Sequence, residues 1–225
     1  PANSIDLTSV NYGIRDNGVA IKVETGTTAG SKKITVTDGV VNYVKDNLKR
    51  NSFSIQYTGA GSAATLTVNA TTLSTAVTGG PGSENLRVTL ASYATVKKLV
   101  DYINSLGLPY TVVLLDPNPD SPTPNALDFV STQAITASAY TETATLDEIL
   151  KWLNSGAQPL LTAARSSGAG LPPANTTNFV YLAGAVEGTV MDADWQAALD
   201  ALNAEDVGYV VVLSSTTTYQ GYLLS

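Results

Sequence analysis

From Asn17 to about Val77 the chain alternates apolar and polar residues with a period of two, broken at short intervals by Gly, Thr, Ser and Asn. That is the punctuation of antiparallel strands joined by turns. In VAIKVE, Val19, Ile21 and Val23 share one face, and Ala20, Lys22 and Glu24 share the other. After the turn-rich GTTAGS, Gly26 to Ser31, KKITVT places Ile34 and Val36 on the next apolar face. VVNYVKDNL, FSIQY, AATLTVN and TTLSTAV continue the series, so about six strands are predicted, forming a small sandwich or barrel. The threonine-rich composition suits this, because β-branched side chains pack well on a pleated surface.

The period changes beyond TGGPGSEN, Thr78 to Asn85. LRVTL reads as a strand, and Val96, Leu99, Val100, Ile103 and Leu106 then recur at helical spacing until Gly107 and Pro109 stop the run. YTVVLLD, Tyr110 to Asp116, reads as a buried strand. The stretch DPNPDSPTP that follows holds four prolines in nine residues, which no regular element survives, and it is the expected linker or crossover. Next, Thr145 and Glu148 have the spacing of a capping box, with Leu146, Ile149, Leu150 and Leu153 on one face. A helix is therefore predicted over 145–154, ended by Gly156 and Pro159. QPLLTAA reads as a strand. Then FVYLAGAVEGTVMDADWQAALDALNAEDVGYVVVLSS, Phe179 to Ser215, reads as strand, turn, helix and strand, with Trp195, Ala198, Leu199 and Leu202 on the buried helix face.

Helices alternating with apolar strands imply an α/β layer with a largely parallel sheet. The expected fold class is thus α+β and multidomain, a β-rich antiparallel sandwich or barrel beside a layered α/β domain. The expected division is a leading segment 1–16 that belongs to the α/β domain, a β-rich domain over 17–120 with one helix, and the α/β domain over 121–225.

Composition narrows the chemistry. Formal net charge is −7 and the twelve Lys and Arg are scattered, so the basic footprint that nucleic acid requires is missing. No apolar run approaches the roughly 20 residues that span a bilayer. The chain opens on Pro1 rather than a methionine, as expected of a fragment. With no cysteine, thiolate catalysis, zinc ribbons and iron–sulfur ligation are excluded. With no histidine, the usual base of hydrolytic triads is missing too.

Four patterns carry candidate chemistry. The turn AGAVEG has glycines only at Gly184 and Gly188, matching neither a dinucleotide fingerprint nor a P-loop. Glu187, Asp192 and Asp194 around the helix start would repel an anion while favouring the helix dipole, so a capped structural turn is expected. Asp116–Asp120, DPNPD, imitates the start of an EF-hand loop, but Ser121 stands where Gly is needed and Leu127 where Glu is needed. Glu187 with Asp192 or Asp194 is the pair to test for glycoside hydrolysis, against a default of helix capping. Among eleven tyrosines, Tyr43 and Tyr57 sit at strand positions where a ring lines either a glycan-binding surface or a sheet edge. No catalytic, cofactor-binding or metal-ligating residue is assigned, and no enzymatic activity or cofactor is expected.

The segment TSVNYGIRDNGVAIKVETGTTAGSKKITVTDG, Thr8 to Gly39, resembles the entry into the β-rich domain of contractile phage tail sheath proteins. Phe179 to Ser215 resembles their later strand–turn–helix block, and LVDYINSLGLPYTVVLLD resembles the intervening helix and strand. At the turn the chain departs from the family pattern, with Ala185 at the second glycine of a pair and Glu187 at the usual aspartate.

The resemblance implies a structural subunit of a viral or phage-like contractile tail, with a subtilisin-like α/β domain. Such subunits assemble as stacked hexameric rings around an inner tail tube and contract to drive it through the target envelope. Its partners would be neighbouring sheath subunits and, in the full-length protein, the tube, with no nucleic acid and no membrane. Its location would be the virion, after assembly in the bacterial cytoplasm. Lacking terminal assembly arms, this chain is expected to be monomeric. Two alternatives from other classes are a glycan-directed β-rich binding module of a surface protein and a carboxylate-dependent tail glycosidase.

Overall fold

In the computed structural model, which describes residues 3–11, 13–116, 122–186, 188 and 191–203, each period-two segment is a strand. In chain order the strands begin with β1 (Ile5–Ser9), which the alternation did not predict, and continue as β2 (Ala20–Thr25), β3 (Lys32–Thr37), β4 (Asn42–Leu48), β5 (Asn51–Tyr57), β6 (Ala63–Val68), β7 (Thr72–Thr78) and β8 (Arg87–Thr89). Helix α1 (Val96–Ser105) follows, then β9 (Tyr110–Leu114), β10 (Val130–Ala134), β11 (Tyr140–Thr143), α2 (Thr145–Leu153), β12 (Leu161–Arg165), β13 (Val180–Tyr181) and α3 (Asp192–Asn203). The described chain divides into two units, Pro1–Ala185 and Val186–Ser225, and α3 belongs to the second.

The strands do not close into one sandwich. They form four sheets, ordered β1-β12, β13-β2-β3-β4, β11-β5-β9 and β10-β6-β7-β8. Two separate cores result. One gathers Val19 and, beside it, Ile21 and Val23 of β2, Ile34 and Val36 of β3, Leu48, Leu161 and the α2 residues Ile149 and Leu153. The other gathers Phe53, Ile55 and Tyr57 of β5 with Leu66, Leu73, Val88, Val112 and the α1 face Val96, Leu99, Val100 and Ile103. The buried residues of the second core run from Phe53 to Ile135, with Tyr140 of β11 packed against them, so this core is inserted between the two chain segments that make the first.

The six strands predicted over 17–77 are therefore shared between two bodies, because the chain leaves the first core at Lys49–Arg50. The largely parallel sheet expected within 121–225 is corrected among the described residues, where β10, β11, β12 and β13 all pair antiparallel. Strand β11 joins β5 in one core, whereas β12 beyond α2 joins β1 in the other. The β–α–β succession therefore never returns to its own sheet, and the parallel crossover that alternation suggested is not made. The strand expected after α3 lies outside the described residues.

Helix α1 follows its sequence closely: Thr95 accepts the Lys98 N–H as N-cap, and Gly107 takes the left-handed conformation (φ 63°) that ends it. Helix α2 occupies its predicted span with Thr145, Leu146, Ile149 and Leu153 buried. Its cap differs. Ala144 is the N-cap residue and offers no side-chain bond, while the carboxylate of Asp128 accepts from the Thr145 N–H at 2.7 Å and the Leu146 N–H at 3.1 Å. The capping box predicted for Thr145 and Glu148 is replaced by a residue that lies earlier in the chain.

Side-chain amides stand in for peptide groups where strands run out. Asn154 exchanges two hydrogen bonds with the backbone of Ala163, at 2.8 and 2.9 Å. Gln158, 2% exposed, accepts from the Leu160 and Leu161 N–H groups and donates to the carbonyls of Leu153 and Leu161. Asn17 grips Ala185 in the same reciprocal manner, at 2.9 and 3.1 Å. Each pairing satisfies polar backbone that would otherwise lack a partner.

Candidate functional site

The most strongly perturbed electrostatics lie where the chain crosses twice between the two cores. The outward crossing runs through Lys49 and Arg50 into β5, and the return runs from β11 through Ala144 into α2. The crossings touch, since Ala144 donates its N–H to the Arg50 carbonyl at 2.9 Å. The Arg50 guanidinium, its side chain 12% exposed, pairs with Asp116 after β9 and reaches Glu148 of α2 at 3.5 Å.

Behind this ion network lie two buried carboxyl groups. Asp128 accepts from the Thr143 hydroxyl at 2.7 Å as well as from the first two amides of α2, and its own N–H donates to the Thr143 carbonyl. Its carboxylate is held by three donors at a helix N-terminus, where the helix dipole favours negative charge. Glu142 of β11 has no exposure, and neither of its carboxyl oxygens has a partner. It stands opposite Phe53 in the β11–β5 ladder, on the face that carries the apolar core. Burial pushes its carboxyl up to about 9, and the charge of Asp128 adds to the rise. Burial also pushes the Tyr140 hydroxyl, on the same face of β11, to about 12. Glu142 is therefore neutral at pH 7.

This arrangement suits packing rather than turnover. A carboxyl with no exposure cannot meet a substrate, and the Asp128 oxygens are already bonded to Thr143, Thr145 and Leu146. A raised carboxyl beside an ionised one is a frequent mark of catalytic sites, but only when both open onto a cleft. Nothing local in TETA marks Glu142 as buried. The missed signal was alternation, which places Tyr140 and Glu142 on one face.

No protein-family model matches the chain, and no curated protein matches it.

The residues singled out in the sequence fall elsewhere. The Asp194 carboxylate accepts the Met191 N–H at 2.8 Å, the back-bond of a helix-start residue to the position before the helix. This is the capping role expected of that acidic turn. Glu187, its proposed catalytic partner, lies outside the described residues. Gly184 adopts φ 92°, a turn conformation that glycine permits. Of the EF-hand-like stretch, Asp116 is bonded to Arg50, and 117–121 lie outside the described residues. Among the described residues no group of three or more acidic side chains is placed to hold a metal ion.

The tyrosines separate. Tyr57 is 2% exposed, so it lines no surface. Its hydroxyl bonds Glu84 and accepts the Gly61 N–H, and its ring meets Tyr110 edge-on with centroids 5.4 Å apart. Tyr43 is half-buried against the first core. The exposed aromatic residues among those described, Tyr102 and Tyr181, sit on α1 and β13 and form no shared platform.

Several cavities open on the first core, two of which bear on ligand binding. One, about 530 Å³, is lined by Asn11, Arg15, Asp16, Asp38, Val40 and Leu160 among others. Its carboxylates are engaged locally: Asp38 accepts from the Val40 and Val41 N–H groups, which hold it below the usual carboxylate range, and Asp16 accepts from the Ser9 hydroxyl. The other, about 270 Å³, is an apolar groove between β1 and β2, walled by Ile5, Leu7, Ile21, Val23 and Val180.

Proposed function

We propose that the chain is a structural subunit of a contractile tail sheath, whose copies stack as rings around an inner tube and exchange contacts as the sheath shortens. The observation that carries this reading is the adjacency of the two segments on which the resemblance rests. Strand β2, within Thr8–Gly39, pairs with β13, within Phe179–Ser215, through Ile21 with Val180 and Ala20 with Tyr181. The Leu182 N–H continues the pairing to the Val19 carbonyl, and Asn17 fastens Ala185 beyond it. Two chance resemblances have no reason to meet, whereas two parts of one domain do.

A sheath works by switching intersubunit contacts between two assembled states, which calls for bodies that do not deform. The amide clamps at Asn17, Asn154 and Gln158 and the Arg50 ion network are devices of that kind. In this reading the subtilisin-like layer takes in Val186–Ser225, a unit distinct from the remainder, and the body of the second core forms the β-rich domain. The reading assigns no catalytic, cofactor or metal residue. Neighbouring subunits and the tail tube are the partners, and the virion is the location.

The test is expression of the complete reading frame that contains this chain, imaged by negative-stain electron microscopy with and without its tube protein. Stacked rings or tubes are expected. Dispersed particles under both conditions, or saturable binding of cell-wall glycan lost on Tyr181→Ala, would sink the proposal.

A further inference from the structure

Glu142 sits two residues before the point where the chain re-enters the first core. Thr143, next to it, is tied to Asp128 through both its hydroxyl and its carbonyl. Ala144 is tied to Arg50, and Thr145 opens α2. The β11–β5 register also shifts between Glu142 and Thr143, so the ladder is interrupted at this position. A carboxyl with two unpartnered oxygens, in an apolar core and at an interrupted ladder, is an expensive group to bury even when neutral and far more so when charged.

We propose that Glu142 is a proton-operated latch on the junction between the two cores: with its proton it stays buried and holds β11 on β5, and without it the β11–α2 crossing opens to hydrate the carboxylate.

Burial and the neighbouring carboxylate favour the Glu142 proton, and the Thr143 N–H works against them more weakly. Asp128, on the segment before β10, favours the Glu142 proton, and Tyr140 on β11 is neutral below about pH 12. Strand β5, against which Glu142 packs, carries no charged residue, and its one titratable group, Tyr57, is bonded to Glu84. Arg50, the residue before that strand, is engaged by Asp116 and Glu148. Among the described residues no cation acts on the Glu142 carboxyl, and the Thr143 N–H does not outweigh its burial.

The sign follows from linkage. In the closed state the carboxyl titrates near 9, and in an open, hydrated state near its ordinary 4.5. The closed form thus binds one more proton throughout that window. Closure is fully favoured below about pH 4.5 and weakens as pH rises towards 9, with the opening constant growing up to about tenfold per pH unit. Acid tightens the latch and alkali loosens it, the reverse of a salt-bridged carboxylate.

Hydrogen exchange at the Ala144, Thr145 and Leu146 amides, corrected for base-catalysed intrinsic exchange, reads the latch. From pH 6 to pH 8 the opening constant is expected to rise on the order of 100-fold in the wild type and to stay flat in Glu142→Gln. An equal rise in both proteins overturns the proposal. Should Glu142→Gln fail to fold, Glu142→Met takes its place, and infrared spectroscopy of the wild type gives a second reading. A protonated-carboxyl band present at pH 7 that disappears near pH 9 is expected, and its absence at pH 7 overturns the latch.

Discussion

Replacing Asp128 with alanine removes the acceptor for three donors at once: the Thr143 hydroxyl and the Thr145 and Leu146 amides, at 2.7, 2.7 and 3.1 Å. Asp128 is 5% exposed, Thr145 2% and Leu146 fully buried, so water has little access to the orphaned groups. Loss of a helix cap costs about 1 kcal/mol and up to about 2. A buried donor left without a partner adds about 1–3 kcal/mol. Glu142 keeps its proton at pH 7, so losing the neighbouring charge returns little, and a net loss of about 3–4 kcal/mol is expected. Asp128→Asn keeps one acceptor oxygen but turns an NH₂ towards a donor, and about 2 kcal/mol is expected. Glu148→Gln weakens only the half-exposed contact with Arg50, for less than about 1 kcal/mol. Urea denaturation followed by far-UV circular dichroism, with stability taken by linear extrapolation, measures all three. If Asp128→Ala loses less than about 1 kcal/mol, or Glu148→Gln loses as much as it does, the cap belongs to the local capping box and the remote assignment is wrong.

Three further outcomes test other parts of the structure. At Gly170 a methyl group would lie 2.0 Å from ring atoms of Phe129, so Gly170→Ala should cost about 1–3 kcal/mol and lower the melting temperature; an unchanged melting temperature would show that the ring has room to move. Arg50→Met leaves Asp116 charged and mostly buried and should cost about 3 kcal/mol, whereas Arg50→Met with Asp116→Leu should recover most of it. Additive losses in that double-mutant cycle would mean that the pair is not coupled. Asn17→Ala deletes both bonds to Ala185 and should cost about 1–2 kcal/mol while speeding proteolysis at 182–186; cleavage at the wild-type rate would remove Asn17 from its role as a clamp.

The sequence by itself determined most of the strands and the helices, because side-chain periodicity is a local property, but it marked none of β1, β10 and β11, whose pairing partners lie far along the chain. Val19, Ile21 and Val23 lie on one face of any strand that contains them, and Val96, Leu99, Val100 and Ile103 on one face of any helix. The absence of histidine and cysteine restricted the chemistry just as directly. Only the tertiary structure decided which strand lies beside which, since nothing in VAIKVE names KKITVT or Val180 as its partner. The same applies to the cap of α2. Thr145 and Glu148 have the right spacing, but Asp128 reaches the helix start because the chain has already folded back along Thr143. Tyr57 and Glu142 show the limit most clearly. Alternation states that each shares a face with its neighbours two residues away, and burial of that face depends on which sheet folds over it. The paired crossings near Arg50 and Ala144 that set this choice join residues about ninety positions apart, beyond the reach of any local pattern.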